Sequence, residues 1–285
     1  MLSPPEGARS LVIVVLDSCR FDSFMQAELP SLRGLGEAQE RFSYASWTPP
    51  AHYNLFMGLL PHASPTGIHA STAWKGDLAA MADRLGIPEL GFAAMLPKLW
   101  LPHTLREDYG YHTQAIVSMP VLNPATPLAT GFDRYEMAER HNDLGAIVDK
   151  LVFPSDRPSF TVINTGETHF PYATADEPRE TWPRIDGING VFEQLGAGQP
   201  LHQSQAPRAL SADRVAALQQ RQIRALSRTN RALEALLDRC PPHTWVVVTS
   251  DHGELFGEGG YLGHGPIVHD KVLAVPLIEG LVHAT

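Results

Sequence analysis

The sequence predicts an α/β fold, a mostly parallel central sheet flanked by helices, and three observations carry that expectation. Three short runs are largely apolar: Leu11-Val12-Ile13-Val14-Val15-Leu16, Ser159-Phe160-Thr161-Val162-Ile163-Asn164 and Trp245-Val246-Val247-Val248. Strands of that kind are buried on both faces, as in a parallel sheet covered by helices. Between the runs lie stretches long enough for crossover helices, the clearest of them beginning at Ser211. Each run also stops at side chains able to bind a metal: Asp17 after the first, Glu167 and His169 after the second, Asp251 and His252 after the third. The 285 residues, 44% hydrophobic and 19% charged, suffice for one sizeable core, so a single domain over residues 1–285 is expected.

Leu11 to Leu16 forms the first strand. Taken alone, Asp17 suits a strand-end turn or a helix cap better than a ligand. Residues 19–40 read as a helix broken at Pro30 and then a loop, followed by a short strand from Phe42 to Trp47. Thr48-Pro49-Pro50 opens a helix, because proline is favoured at the first helical position and threonine is a good N-cap. Free N–H groups and the helix dipole favour an anion there, so Thr48 is either only the cap or part of an anion site. Pro65 to Gly76 reads as loop, with helical patches around Leu78 to Leu85 and Pro102 to Asp108. A strand follows from His112 to Met119, then a proline-rich loop from Pro120 to Gly131 and a short helix from His141 to Leu151. Residues 173–208 are expected to form a long loop or flap over the site. Ser211 caps the longest helix, whose Val215, Leu218, Ile223, Leu226, Leu233 and Leu237 make one apolar stripe that ends before Pro241-Pro242. The last strand is read over Val272 to Ile278.

Composition narrows the partners. A formal net charge of −9 argues against nucleic acid. It leaves a phosphate substrate open, since a local metal outweighs the global charge. Cys19 and Cys240 are the only cysteines, too few for a disulfide framework. The N-terminus lacks a basic region ahead of a long apolar run, and the six residues Leu11 to Leu16 are too few to cross a bilayer. A soluble, cytoplasmic protein without a membrane partner is the expectation.

In an open α/β sheet the carboxyl ends of parallel strands lie along one edge, where ligands bind. Three strand endings of metal-competent residues therefore point to a shared site. Asp17, Asp251, His252 and the Thr48 oxygen supply three oxygens and one nitrogen, which suits Zn or Mn better than Ca. A free threonine hydroxyl is a poor nucleophile at neutral pH, and a dication lowers its pKa. The helix start at Thr48 would also hold the equatorial oxygens of a phosphoryl group. His264 follows in a glycine-rich setting. Arg20 reads either as a contact to a substrate anion or as a structural salt bridge, and His52 as a substrate contact or a plain helix residue. His103, His112, His141 and His243 read as structural or surface residues, and Trp74, Trp100 and Trp182 as core or lid packing.

Four stretches in order, VVLDSCRFDSF, SWTPPAHYNLFMGLLP, INTGETHFPY and VVTSDHGELFGEGGYLGHGP, resemble the alkaline phosphatase–sulfatase superfamily. The likeness is to its threonine-dependent branch, with phosphoethanolamine transferases and lipoteichoic acid synthases. DYGYHTQAIV and GFDRYE add weaker echoes, so the resemblance spans roughly residues 11–278. It implies an alkaline phosphatase-like core in which Asp17, Thr48, Asp251 and His252 bind one metal, with Thr48 as the nucleophile. It further implies that His169 and His264 contact the transferred group, assist the leaving group or bind a second metal.

The departures are informative. Sulfatases carry a cysteine or serine, oxidised to formylglycine, where this chain has Thr48, and threonine cannot undergo that oxidation. Ser18 stands where sulfatases have the second of two paired aspartates. Thr165 stands where two-zinc members carry an aspartate, leaving Glu167 or His269 as substitutes at any second metal site. The membrane helices of the lipid-modifying transferases and the C-terminal subdomain of typical sulfatases are not expected. The resulting expectation is a metal-dependent phosphomonoesterase, phosphodiesterase or phosphoryl-group transferase acting on a small-molecule phosphate ester through phospho-Thr48. The alternatives are a non-catalytic metal- or anion-binding member of the fold, or a sulfatase-like hydrolase of another ester.

Overall fold

The computed structural model describes residues 4–57, 100–185, 211–265 and 267–283. The expected loop at 65–76, Trp74, the helical patch from Leu78 to Leu85 and the 186–208 part of the long loop lie outside the described residues. Seven strands form one sheet: β1 (Ser10–Leu16), β2 (Gln39–Phe42), β3 (His112–Val117), β4 (Arg134–Met137), β5 (Ser159–Thr165), β6 (Thr244–Thr249) and β9 (Ala274–Leu281). A small hairpin pairs β7 (Leu255–Phe256) with β8 (Leu262–Gly263). The strand order is β2-β9-β6-β1-β5-β3-β4. All contacts from β6 to β4 are parallel, while β9 runs antiparallel to both β6 and β2.

The alternation of side chains along β1 explains the layers. Val12, Val14 and Leu16 face one apolar cluster with Leu144, Ile147, Leu226, Leu233 and Leu236. Ile13 and Val15 face another with Phe56, Trp100, Phe132, Phe160 and Val162. The first layer is built by α1 (Phe21–Gln26), α4 (Leu144–Asp149), α5 (Ala212–Arg228) and α6 (Asn230–Arg239); the second by α2 (Thr48–Met57) and α3 (Leu101–Glu107). Both faces of the strand are thus out of water, which is why its sequence shows no polar alternation. Leu226 is fully buried in this packing. Replacing it with alanine should cost about 2–5 kcal/mol, read as a lowered denaturant midpoint at unchanged slope.

Four expectations need correction. The strand read over Phe42 to Trp47 lies earlier, at Gln39–Phe42; it is an exposed edge strand with no apolar pattern to reveal it. The single long helix is two, because the Thr229 hydroxyl donates to the Leu226 carbonyl (2.7 Å) and closes α5. Asn230 opens α6 with its side-chain oxygen accepting from Ser31 N–H (3.0 Å). The last strand starts at Ala274, since Val272 and Leu273 belong to the short helix α7 (Asp270–Leu273). The helix read over His141 to Leu151 is confined to Leu144–Asp149, with Asp143 accepting from Ala146 N–H as its cap. β4 had no sequence signal of its own and completes the parallel edge.

Register then sets the site. Leu16 lies opposite Thr165 and Val15 opposite Thr249. The residues just past these pairs, Asp17, the 166–169 turn and Ser250-Asp251-His252, come out side by side on the middle three strands.

Candidate active site

Asp17, Asp251 and His252 each offer a ligand atom, and these atoms lie within 4.8 Å of one another, all buried. Thr48, the first residue of α2, brings its Oγ1 to 3.2 Å from His252 Nε2 and 3.5 Å from Asp17 Oδ2. One sheet edge and one helix start therefore place four O and N donors around a common point.

Each donor is oriented from behind. His252 Nδ1 donates to the Gly253 carbonyl (2.9 Å), so its Nε2 turns a lone pair to the site. Asp251 Oδ1 accepts from Ser18 N–H (3.1 Å) and His252 N–H (3.0 Å), whereas Asp251 Oδ2, 3.3 Å from His252 Nε2, is buried with no hydrogen-bond partner among the described residues. Asp17 Oδ2 accepts from Asn164 Nδ2 at 2.9 Å. Gly253 is dictated by space, since a Cβ there would come 2.3 Å from the Lys271 carbonyl oxygen. Ser18 adopts φ 61°, a conformation uncommon for a non-glycine residue, and this turn aims its N–H at Asp251.

The electrostatics call for a cation. Burial raises the Asp17 carboxyl above its ordinary value, and facing Asp251 raises it further. Burial lifts Asp251 to about 7, against hydrogen bonds that lower it. Two carboxylates facing each other in a dry site are costly to ionise unless a positive charge lies between them. A dication fits these residues: the donors are hard oxygens plus imidazole, the orphaned Asp251 Oδ2 has its lone pairs free, and two carboxylates match the charge.

His169 and His264 meet across the site, with their Nε2 atoms 3.2 Å apart. His169 Nδ1 donates to the Phe170 carbonyl (2.9 Å), so between neutral rings the shared proton comes from His264. The His264 ring also lies 4.2 Å from that of His252, centroid to centroid. Burial pushes His169, His252 and His264 all below the usual imidazole value, which keeps them neutral.

The sequence leaves Arg20 and His52 each open to two readings, a substrate contact or a structural role, and both have protein partners. Arg20 is buried, with its guanidinium on Asp22 (2.5 and 2.8 Å) and Glu258 (2.7 Å) and over the Phe256 ring (5.3 Å). It anchors the β7–β8 hairpin. Arg20→Met should lower stability by about 2 kcal/mol, with little change in the KM of any ester; a large KM change with stability intact would return Arg20 to the substrate. His52, one turn along α2, donates from Nδ1 to the Thr48 carbonyl (2.9 Å) and lies 3.9 Å from Asp251 Oδ2. It backs Thr48 from inside the fold.

Neither suggested substitute for a second metal ligand turns to the site. Glu167 accepts from Leu144 N–H (2.7 Å) and from the Thr165 hydroxyl, and burial raises it to about 7. His269 caps α7, accepting from Lys271 N–H at 3.0 Å. Cys19 is fully buried and its thiol is held protonated by burial.

Three supporting residues escaped the sequence reading. Asn164 holds Asp17 while its Oδ1 accepts from Ser118 and Met119 N–H (both 3.2 Å). Ser250 Oγ accepts from Cys19 N–H (2.9 Å) and lies 2.6 Å from the Leu16 carbonyl. Gln222 of α5 donates to the Ser18 and Thr168 carbonyls (2.9 and 2.8 Å), tying two strand-end turns together. Gln222 had one available signal: it falls four residues from both Leu218 and Leu226, a polar side chain on the apolar stripe.

The fold is the alkaline phosphatase-like α/β fold. No family profile matches the chain, and no curated protein matches it in sequence. Solved structures do. The zinc complex of the C-terminal periplasmic domain of EcEptC from Escherichia coli is similar at TM-score 0.56 and 13% identity, covering 99% of this chain and 77% of that one. A putative sulfatase, yidJ, from Bacteroides fragilis gives TM-score 0.56 at 16% identity, covering 99% and 70%. The phosphonate monoester hydrolase of Agrobacterium radiobacter gives 0.54 at 15%, covering 95% and 68%. At these identities the likeness is one of fold. Among the described residues no helix is long and apolar enough to cross a membrane.

Proposed function

We propose that this chain is a metal-dependent hydrolase of small phosphate esters, or a phosphoryl-group transferase, working through a covalent phospho-Thr48 intermediate. One observation carries the reading: a threonine hydroxyl at a helix start lies 3.2 Å from His252 Nε2 and 3.5 Å from Asp17 Oδ2, beside the unpaired Asp251 Oδ2. Similarity to structures named as a transferase domain, a phosphonate monoester hydrolase and sulfatases supports the same chemical class. Asp17, Thr48, Asp251 and His252 would hold the metal, and their donor types favour zinc or manganese. When bound, the dication lowers the pKa of the threonine hydroxyl and offsets charge that develops on the phosphoryl oxygens.

The chain's own groups do the rest. Thr48 Oγ1 forms a bond to phosphorus as the ester P–O bond breaks, and the electron pair departs on the ester oxygen. The proton lost by Thr48 reaches that oxygen through the His169–His264 pair. Water or an acceptor alcohol then attacks phospho-Thr48, which breaks the Oγ1–P bond. The same pair takes the attacker's proton and returns one to Thr48, so it starts and ends neutral.

The test is to load the protein with zinc or manganese and offer matched phosphomonoesters, phosphodiesters, phosphonate esters and sulfate esters. Turnover of a phosphorus ester, with one phosphoryl group trapped on the peptide containing Thr48 after an acid quench, is the expected result. A metal-loaded protein inert to the whole panel would overturn the reading in favour of a binding role.

A further inference from the structure

A cavity of about 260 Å³ opens beside the His169 turn, lined by residues that follow β4 and β5. Its walls include Glu139, Arg140, His141, Glu177, Arg179 and Trp182. Both parent strands are parallel members of the sheet, so these loops emerge on the edge that carries Asp17. The link to the site is direct. Gly166 N–H donates to the His141 carbonyl (2.8 Å), and His169 N–H donates to the Gly166 carbonyl (3.2 Å). A Cβ on Gly166 would lie only 2.8 Å from the His141 oxygen, so the two loops meet backbone on backbone.

The charges of this wall are unbalanced. Its acids are already paired with bases: Glu139 with Lys150 (3.1 Å), and Glu177 with Arg221 (2.8 Å) and Arg228 (3.3 Å). Its arginines are not. Arg140 reaches only the Ala175 carbonyl (3.3 Å), and Arg179 lies over the Trp182 ring (5.6 Å). Neither has a carboxylate partner among the described residues. The Trp182 ring stands edge-on to His141 at 6.0 Å, and its buried Nε1–H has no acceptor among the described residues. Two guanidinium groups and an indole N–H are all donors, and guanidinium pairs with carboxylate or phosphate in two-point fashion.

We propose that this cavity is a subsite for a second anionic group of the substrate, a carboxylate or phosphate that is not transferred. It rests on the phospho-Thr48 reading, because the anion would be carried by the group leaving past His169. Trp182, which the sequence suggests is core or lid packing, and His141, which it suggests is structural or on the surface, then become determinants of substrate choice.

Two measurements test it. In Asp251→Asn protein, inorganic phosphate and succinate are titrated separately while tryptophan fluorescence is followed. A saturable change is expected with one or both, lost in Trp182→Phe and weakened about tenfold by Arg140→Ala or Arg179→Ala. The better ligand identifies the anion. An unchanged titration in both arginine variants overturns the subsite. In otherwise wild-type protein, the arginine variants should lose about tenfold more kcat/KM on 4-carboxyphenyl phosphate, or on an ester with a second phosphate, than on phenyl phosphate, mainly through KM. Equal losses on charged and uncharged leaving groups also overturn it. If phospho-Thr48 chemistry fails, none of the esters turns over, while the fluorescence titration still decides the cavity.

Discussion

Thr48→Ala should leave a folded, metal-binding protein that forms no phosphoryl-enzyme and turns over phosphate esters at least about 10³-fold more slowly. On the proposed mechanism the loss should fall on kcat, because the hydroxyl would act in the bond-making step, and Asp17, Asp251 and His252 would still be there to hold the metal. Thr48→Ser keeps the oxygen and should retain much of the activity, with chemistry slowed by the less constrained side chain. The three hydrogen bonds described above that orient Asp251 and His252 from behind do not involve Thr48, so the site should persist in the variant. Rapid-quench measurement of bound phosphate checks this, and a Thr48→Ala enzyme that still carries covalent phosphate would refute the assignment of the nucleophile.

Zinc or manganese at one fixed concentration, a hundredfold above its Kd at pH 8, should stabilise the fold at that pH by about 2.7 kcal/mol, a rise of roughly 5–10 °C in Tm, and a chelator should reverse it. The gain should be larger at pH 8 than at pH 5.5. The sign follows from Asp251, whose folded, metal-free carboxyl titrates at about 7, above its ordinary value, because of burial. Glu167 is raised to about 7 for the same reason. Between about pH 4 and 7 these two carboxyls retain protons in the folded metal-free protein that they lose in the unfolded chain, so their contribution to stability falls as pH rises through that window, while the buried His169, His252 and His264, held below the usual imidazole value, contribute with the opposite sign. Metal binding needs the ionised ligands and so strengthens over the same range. Glu167→Gln should flatten the metal-free pH slope and leave the metal increment, since Glu167 serves Leu144 and Thr165 and not the site. Asp251→Asn should remove the increment. Melting curves at the two pH values, with and without metal, decide the matter; an equal gain at both would refute the linkage.

Much of the central sheet was legible because the strands buried on both faces centre on short runs rich in apolar residues and stop at ligand-type side chains. β1, β5 and β6 are of that kind, and so Asp17, Asp251 and His252 could be named with Thr48 at its proline-marked helix start. β2 and β4 were not legible. One is exposed along its whole length and the other is partly exposed, so neither repeats an apolar pattern. The sequence leaves Arg20 between an anion contact and a structural salt bridge; its ion pairs with Asp22 and Glu258 agree with the second reading, and Glu258 is far along the chain.

By itself, the sequence determined which side chains could meet at a metal, because residue type and strand endings are local properties. Only the tertiary structure decided how they meet. The parallel register of β6, β1 and β5 sets Asp17 beside Asp251. Gln222 and Asn164 fix the turns by hydrogen bonds from distant elements. The contact of His169 with His264, and the nearby arginines that have no carboxylate partner among the described residues, arise where loops from different strands converge. Those relations depend on which backbone groups remain to be satisfied once the core is packed, and no single segment of the chain contains that information.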